Sequence, residues 1–117
     1  MSGERERLDY VRDMLNNAER ALKFVRGMEY AEFARDEKTQ YAVVRAIEII
    51  GEAGKKVPKS LQETYTKIPW REITGTRDKL IHDYIVVNLS VVWKTVQEDL
   101  PTLIEQLKEL LGDYGGL

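Results

Sequence analysis

The chain has 117 residues, of which 43% are hydrophobic and 32% charged, with a formal net charge of −2 and no cysteine. This length and composition predict one globular domain, spanning residues 1–117. Without cysteine there are no disulfides, thiolate zinc sites or cysteine nucleophiles, and one histidine excludes a His-rich metal site within one chain. The sequence contains no run of about 18 apolar residues that would predict a membrane helix, and it contains no apolar core of a signal peptide. We therefore expect a cytoplasmic location.

The charges are distributed unevenly along the chain. Seven Lys or Arg accompany three acids between residues 53 and 82, whereas five acids accompany one lysine between residues 97 and 117. A basic excess of this kind is the electrostatic footprint of phosphate or nucleic-acid binding, although a solvated helix surface gives the same count. The only histidine of the chain lies inside the basic stretch.

Apolar residues recur at helical spacing in two stretches of the first half, which predicts two long amphipathic helices. Gly27 is suited to end the first helix, and we expect a short loop with Tyr30 and Phe33 to follow. Asp36 is placed to cap the second helix, which Pro58 closes. The residues predicted to be buried are Leu8, Val11, Leu15, Ala18, Leu22 and Val25 in the first helix and Val43, Ala46, Ile47, Ile50, Ala53 and Val57 in the second.

The second half predicts short helices followed by a third long one. A capping box over residues 60–63 opens one or two turns, and Pro69 suits the first position of a further helix. Asn88 is placed to cap the last helix, which Pro101 should bend. No segment alternates with period two, so the predicted fold is all-α, an antiparallel bundle of four to five helices. The buried stripe predicted for the last helix is Leu89, Val92, Trp93, Val96, Leu100, Leu103, Leu107 and Leu110.

Two further groups of residues admit a chemical and a structural interpretation. Trp70, Trp93 and Tyr41 could stack on nucleic-acid bases, but we expect them to be core residues because aromatic side chains more often have that role. Glu48 and Glu52 could form an acid pair. Basic residues lie at helical spacing from both, so we expect ion pairing instead.

The residues best suited to catalysis lie between Arg77 and Tyr84. This stretch contains His82, five residues after Arg77 and two before Tyr84. Residues five apart in a regular helix are rotated by about 140°. Arg77 and His82 can therefore share a site if the helix is broken, if the arginine reaches round, or if a second protomer completes the site.

These side chains suit a phosphodiester site. Arg77 would hold the phosphate, and His82 would take a proton from a ribose 2′-hydroxyl or give one to the leaving oxygen. Tyr84 could hydrogen-bond phosphate or stack on a base, and Arg71 and Lys79 could follow the RNA backbone. Such a reaction needs no metal and leaves DNA intact. The structural alternative is a buried histidine beside a salt bridge.

The motif consists of an arginine, four intervening residues, a histidine, one further residue and a tyrosine. This pattern resembles the signature of HEPN domains, and the sequence around it resembles the HepT branch. The similarity covers roughly residues 40–103. It implies a homodimeric helical bundle and a metal-independent endoribonuclease toxin of a type VII-like toxin–antitoxin pair, with tRNA or mRNA as candidate substrates. By position, Arg77 and His82 would be the catalytic pair. The segments that carry the resemblance are residues 44–53, residues 68–73, residues 77–84, Val92-Trp93 and residues 98–101.

The resemblance also implies a partner and a modification. HepT-like chains pair with MntA-type minimal nucleotidyltransferase antitoxins, which transfer AMP from ATP to the motif tyrosine, here Tyr84. The added bulk and negative charge beside Arg77 and His82 would block an RNA phosphate. Three positions depart from the family pattern. Asp78 replaces a common Asn and could pair with Arg77 or repel phosphate, Val86 replaces a frequent glycine, and Asn88 replaces an aspartate but caps equally well.

Two other functions fit the same residues. A non-catalytic helical module could bind nucleotide or substrate for a partner nucleotidyltransferase, with Arg77 and Tyr84 as ligands. A purely structural protein could use the motif to hold a dimer interface. RNA turnover distinguishes the ribonuclease from both of these. We expect no cofactor, no membrane partner and no DNA partner.

Overall fold

A computed structural model describes residues 3–75 and 88–115, with side chains described from residue 7 onward. The described residues are helical or lie in turns and loops, without a strand, so the all-α prediction is confirmed. None of the described helices is long and apolar enough to cross a membrane. The elements are α1 (Gly3–Phe24), α2 (Tyr30–Phe33), α3 (Glu37–Lys56), α4 (Lys59–Thr64), α5 (described over residues 70–75), α6 (Leu89–Lys94), a π turn (Thr95–Asp99) and α7 (Leu100–Asp113).

Contacts at the helix ends give the directions of the long helices. The guanidinium carbon of Arg7, near the start of α1, lies 5.3 Å from the ring centre of Tyr114, just after α7. The ammonium of Lys56, at the end of α3, lies 5.8 Å from the ring centre of Tyr10 in α1. Helices α3 and α7 therefore both run antiparallel to α1, as predicted.

The core forms where the inner faces of α1, α3 and α7 meet. The predicted apolar stripes point into it, and only Leu22, Leu89 and Trp93 among their members remain half-buried. Apolar burial contributes about 25 cal/mol per Å² removed from water, so this three-way contact is the main source of stability. The largest fully buried side chains are Phe33, Met14, Leu61, Leu107, Leu110 and Leu111.

The N-caps predicted at Asp36 and Asn88 form. The Asp36 carboxylate accepts hydrogen bonds from the Thr39 hydroxyl at 2.7 Å and the Thr39 backbone N–H at 3.0 Å, and these bonds lower the pKa of Asp36 below 3.8. The Asn88 Oδ1 atom accepts from the backbone N–H of Ser90 at 3.1 Å and of Val91 at 3.4 Å. Asn88 thereby fixes the start of α6.

Helix α2 occupies the place of a predicted loop. It is a single turn closed by a reciprocal capping box between Glu29 and Glu32, in which the Glu29 backbone N–H donates to Glu32 Oε1 at 3.1 Å. The turn brings the buried ring of Phe33 within 5.3 Å of the Trp93 ring centre. Tyr30 contacts the other side of this cluster, with its ring centre 6.0 Å from that of Trp93.

Two helix starts differ from their predictions. Helix α4 begins at Lys59 and has Pro58 in the cap position without a side-chain cap, so the capping box predicted at Ser60 is wrong. Proline fixes its own φ, here −57°, and can start the helix two residues earlier. Helix α5 begins one residue later than predicted. The Pro69 carbonyl accepts from the Ile73 N–H at 3.0 Å, which makes Pro69 the capping residue.

For the aromatic and acidic residues that had two interpretations, the structure agrees with the prediction at Trp70 and Glu52 and differs at Tyr41. Trp70 belongs to the core, as predicted. Tyr41 is 54% exposed, so its assignment to the core is wrong. It lies two positions before the buried Val43, and such residues are separated by about 200° around a helix. The predicted ion pairing of Glu52 is confirmed, since its Oε1 lies 3.5 Å from Arg45 Nη1.

The third long helical stretch is interrupted by the π turn, immediately before Pro101. At its end the Leu100 N–H donates to the Thr95 carbonyl, five residues earlier. Proline has no N–H, and its ring crowds the carbonyl four residues before it, so a wider turn relieves that contact. The bend predicted at Pro101 takes the form of this π turn. The turn places Glu98 and Asp99 at the surface.

Candidate functional site

The predicted catalytic residues lie outside the described part of the chain. Their roles therefore remain predictions. The structure describes the segments on either side of them in the chain, α5 before the motif and the capped start of α6 after it, together with a groove beside α5. The predicted residues concerned are Arg77, Asp78, Lys79, His82, Tyr84 and Val86.

Helix α5, which leads into the motif, is anchored at its start. The Trp70 indole N–H donates to the Tyr65 carbonyl at 3.1 Å, and the neighbouring Ile68 is buried. Gly54 of α3 faces α5: a β-carbon there would lie 3.5 Å from Cγ2 of Ile73, at ordinary van der Waals distance. The first turn of α5 is thus held by apolar contact with α3 and by one part-buried hydrogen bond to the preceding loop.

The loop before α5 is also fastened to α7. The Tyr65 hydroxyl donates to Asp113 Oδ2 at 2.7 Å, and this bond, with partial burial, raises the pKa of Tyr65 to about 12. The Gln106 side-chain N–H donates to the Lys67 carbonyl at 3.0 Å. Because the tyrosine stays protonated at neutral pH, its link to Asp113 holds under ordinary conditions, and the link from Gln106 to Lys67 contains no titrating group.

The basic stretch recognised in the sequence lies at the surface wherever it is described. Of the five Lys and Arg between residues 53 and 75, every one is exposed. Arg71 belongs to this set and lies on α5 next to Glu72. Successive helical residues are rotated by about 100°, so Arg71 and Glu72 leave α5 in different directions. The five residues are Lys55, Lys56, Lys59, Lys67 and Arg71.

A groove of about 380 Å³ opens between α3, α5, the π turn and α7. Its floor is apolar, and its charged lining consists of three carboxylates, Glu72, Glu98 and Asp99, with one ammonium, Lys67. This acidic rim disfavours phosphate. In the described ranges no three His, Cys, Asp or Glu side chains lie close enough together to hold a metal ion. The remaining lining residues are Ile47, Ile50, Pro69, Ile73, Thr95, Leu100, Thr102, Leu103 and Gln106.

Sequence reasoning missed the groove and the two links from the α5 loop to α7. The partners in the links are 48 and 39 residues apart. No characteristic spacing in the sequence predicts a hydrogen bond between a tyrosine and an aspartate, or between a glutamine side chain and a backbone carbonyl, at such separations. The only available signal was the pair of acids that precedes Pro101, which the structure places on the groove wall.

Comparisons with known proteins give a consistent result. The family model described as "Ribonuclease HepT-like" matches residues 14–110. A relative from Thermococcus cleftensis named "Probable ribonuclease HepT" is 44% identical over 107 residues, covering 92% of this chain and 97% of the relative. A relative from Caldanaerobacter subterraneus subsp. tengcongensis, whose name marks it as a candidate RNase, is 42% identical over 102 residues, covering 87% and 91%.

A relative from Methanocaldococcus jannaschii, also named as a candidate RNase, is 39% identical over 107 residues, covering 92% of this chain and 88% of the relative. No solved structure matches the chain. The family model covers both the anchored α5 and the whole stretch that contains the motif. On this evidence the chain belongs to the ribonuclease HepT-like family.

Proposed function

We propose that this chain is a metal-independent endoribonuclease in which Arg77 and His82 act on RNA. The observation that carries the proposal is the ordered Arg77, His82 and Tyr84 motif inside a family match over residues 14–110. The ribonuclease names of relatives that align with most of the chain support it. The absence of cysteine and the single histidine in the sequence favour chemistry that does not depend on a His- and Cys-based metal site.

In the proposed reaction the ribose 2′-oxygen attacks the adjacent phosphorus, and the bond from phosphorus to the 5′-oxygen of the next nucleotide breaks. His82 takes the proton from the 2′-hydroxyl or supplies the proton that the leaving 5′-oxygen gains. Arg77 stabilises the charge that develops on the phosphate oxygens. The products are a 2′,3′-cyclic phosphate and a 5′-hydroxyl. Homodimerisation would bring two copies of the motif to one seam.

The surface around α5 supports a path for RNA on the side of Arg71. Arg71 is exposed and does not line the groove, whereas Glu72 does. Phosphates are attracted by Arg71 and repelled by the carboxylates that line the groove. We therefore propose that RNA passes on the side of Arg71, that Arg71 and Lys79 contact its backbone, and that it avoids the acidic groove.

We expect the purified protein to cleave total RNA or tRNA in the presence of EDTA, because the nucleophile is internal to the RNA. The expected products carry 2′,3′-cyclic phosphate ends, and DNA of the same sequence should remain intact because it lacks the 2′-hydroxyl. End analysis by mass spectrometry of the fragments checks both points. Cleavage that EDTA removes, or equal cleavage of DNA, would contradict the mechanism.

We further propose that an MntA-like nucleotidyltransferase antitoxin neutralises the enzyme by transferring AMP to Tyr84. Incubation of the two proteins with ATP should add the mass of AMP to this chain and stop RNA cleavage, since the added phosphate would compete with RNA at Arg77. The Tyr84→Phe variant should keep its original mass and remain insensitive to the antitoxin. A Tyr84→Phe variant that still gains AMP would assign the modification to another residue.

The alternative of a non-catalytic nucleotide-binding module gains no support from the described groove. A nucleotide site needs donors or cations for the phosphates, as at a helix N-terminus or an arginine cluster. The groove instead carries three carboxylates and one lysine. Nucleotide binding without RNA turnover in the assay above would nevertheless favour that module.

A further inference from the structure

Tyr65 connects three elements of the fold. It is the C-cap residue of α4, and its backbone N–H donates to the Leu61 carbonyl at 3.2 Å. Its own carbonyl accepts from the Trp70 indole N–H at 3.1 Å and from the Ile68 N–H at 3.2 Å. Its hydroxyl donates to Asp113 Oδ2 at 2.7 Å. One residue therefore joins the end of α4, the start of α5 and the end of α7.

The partner of this hydroxyl, Asp113, occupies an unfavourable place in its own helix. It is the last residue of α7, and a carboxylate there lies at the negative end of the helix dipole. The last turn of α7, a helix that is described in full, contains no basic residue to offset this charge. Local helix stability therefore does not account for an acid at this position, whereas the bond from the Tyr65 hydroxyl does.

A second hydrogen bond joins the same loop to the same helix. The Gln106 side-chain N–H donates to the carbonyl of Lys67, two residues after Tyr65, at 3.0 Å. Gln106 and Asp113 are seven positions apart on α7. Seven residues make about two helical turns, so both side chains leave one face of the helix about 10 Å apart. Two separated attachments restrict the direction of the loop, whereas a single bond would leave it free to pivot.

The loop is coupled to the motif through α5. Trp70 is the first residue of α5, and Arg77 follows Gly75, the last described residue of that helix, by two positions. A displacement of the loop therefore displaces the start of the helix that leads to Arg77. Reaction rates respond strongly to such shifts, because misplacing a reacting group by about 1 Å can lower the rate by about 10²-fold.

We propose that Tyr65 is a positioning residue for the RNA reaction, acting on Arg77 through its bonds to Asp113 and Trp70. This role rests on the proposed ribonuclease function. It adds that the end of α7, 36 residues after Arg77 in the chain, sets the rate of turnover. The bond between the Tyr65 hydroxyl and Asp113 is exposed, so it contributes little to the free energy of unfolding. Its loss lowers activity without unfolding the protein.

The test is a double-mutant cycle on kcat and KM for RNA cleavage with EDTA present. Tyr65→Phe removes the hydroxyl and keeps the half-buried ring, and Asp113→Ala removes the acceptor. Each variant should lower kcat by about tenfold and change KM little, because a small shift disturbs the transition state more than the bound ground state. The double variant should be no slower than either single variant, since both changes break the same bond.

Rescue by a conservative change separates positioning from a loss of structure. Asp113→Asn retains an oxygen that can accept from the Tyr65 hydroxyl, so it should keep the wild-type kcat. Tyr30→Phe removes the hydroxyl of another exposed tyrosine, and Glu105→Ala removes another exposed acid of α7, so both should match the wild type. Amide hydrogen exchange gives a readout besides activity. Residues 68–75 should exchange faster in Tyr65→Phe at an unchanged free energy of unfolding.

The role of Tyr65 is overturned if Tyr65→Phe or Asp113→Ala keeps the wild-type kcat, if their losses multiply in the double variant, or if Asp113→Asn is as slow as Asp113→Ala. Unchanged exchange of residues 68–75, or a loss of global stability in urea large enough to explain the lower kcat, also overturns it. A wild type that cleaves no RNA refutes the proposed function together with this role. A wild type that cleaves RNA only as fast as Tyr65→Phe refutes the role alone.

Discussion

The variants His82→Ala and Arg77→Ala are each expected to lower kcat/KM for RNA cleavage by about 10²–10⁴-fold, the range for loss of a general acid–base or of a charge-stabilising donor. Loss of His82 leaves either the 2′-hydroxyl proton without an acceptor or the leaving 5′-oxygen without a proton donor. Loss of Arg77 leaves the phosphate oxygens without their cation. Initial rates on a fluorescent RNA oligonucleotide, with EDTA present, give the ratio directly.

Three further variants make the comparison specific. Arg77→Lys keeps the charge but loses the bidentate fork, so it should recover only part of the activity. Arg71→Ala should raise KM with little change in kcat, because its proposed contact is with the RNA backbone in ground state and transition state alike. Arg35→Ala removes an exposed arginine distant in sequence from the motif and should match the wild type. Wild-type rates in both His82→Ala and Arg77→Ala would refute the assignment.

Trp70→Ala is expected to lower the free energy of unfolding by about 3–5 kcal/mol, the usual cost of truncating a buried tryptophan. Trp70 is 9% exposed, and its indole N–H donates to the Tyr65 carbonyl at 3.1 Å. Truncation therefore leaves a cavity under α5 and removes one of the two hydrogen bonds that the Tyr65 carbonyl accepts, the other coming from the Ile68 N–H at 3.2 Å. Urea denaturation followed by circular dichroism measures the loss.

Trp70→Phe separates the two contributions. The phenyl ring retains most of the apolar contact but cannot donate to Tyr65, so the expected loss is about 1 kcal/mol for the hydrogen bond plus the smaller volume change. The matched change Trp93→Phe affects a half-buried ring in the cluster with Phe33 and Tyr30 and does not touch α5. A Trp70→Ala variant as stable as the wild type would show that the indole does not anchor the helix.

The long helices could be predicted from the sequence because their signals are local and redundant. The apolar residues of α1, of α3 and of the last helical stretch repeat at helical spacing, and Asp36 and Asn88 precede the second and third of these patterns with suitable side chains. Each cap then forms within three residues of its own position. The motif could also be located from sequence, since its residues lie within eight positions of one another.

The features that were mispredicted or missed depend on tertiary contacts or on competition between neighbours. Ser60 has the chemistry of a cap, but Pro58 precedes it and starts the helix first. Tyr41 is aromatic, yet its position around α3 directs it outward. The groove arises only when α5 and the π turn come together on α3. No local pattern contains that information, because the walls come from residues far apart in the chain.

The links from the α5 loop to Gln106 and Asp113 have a consequence for the order of events during synthesis. Helices α1 and α3 can pair as soon as both have left the ribosome, since they are close in sequence. The Tyr65 hydroxyl and the Lys67 carbonyl gain their partners only after α7 has emerged. The loop before α5, which leads toward the motif at residues 77–84, therefore forms these two hydrogen bonds late. In a nascent chain that still lacks α7, neither bond can form.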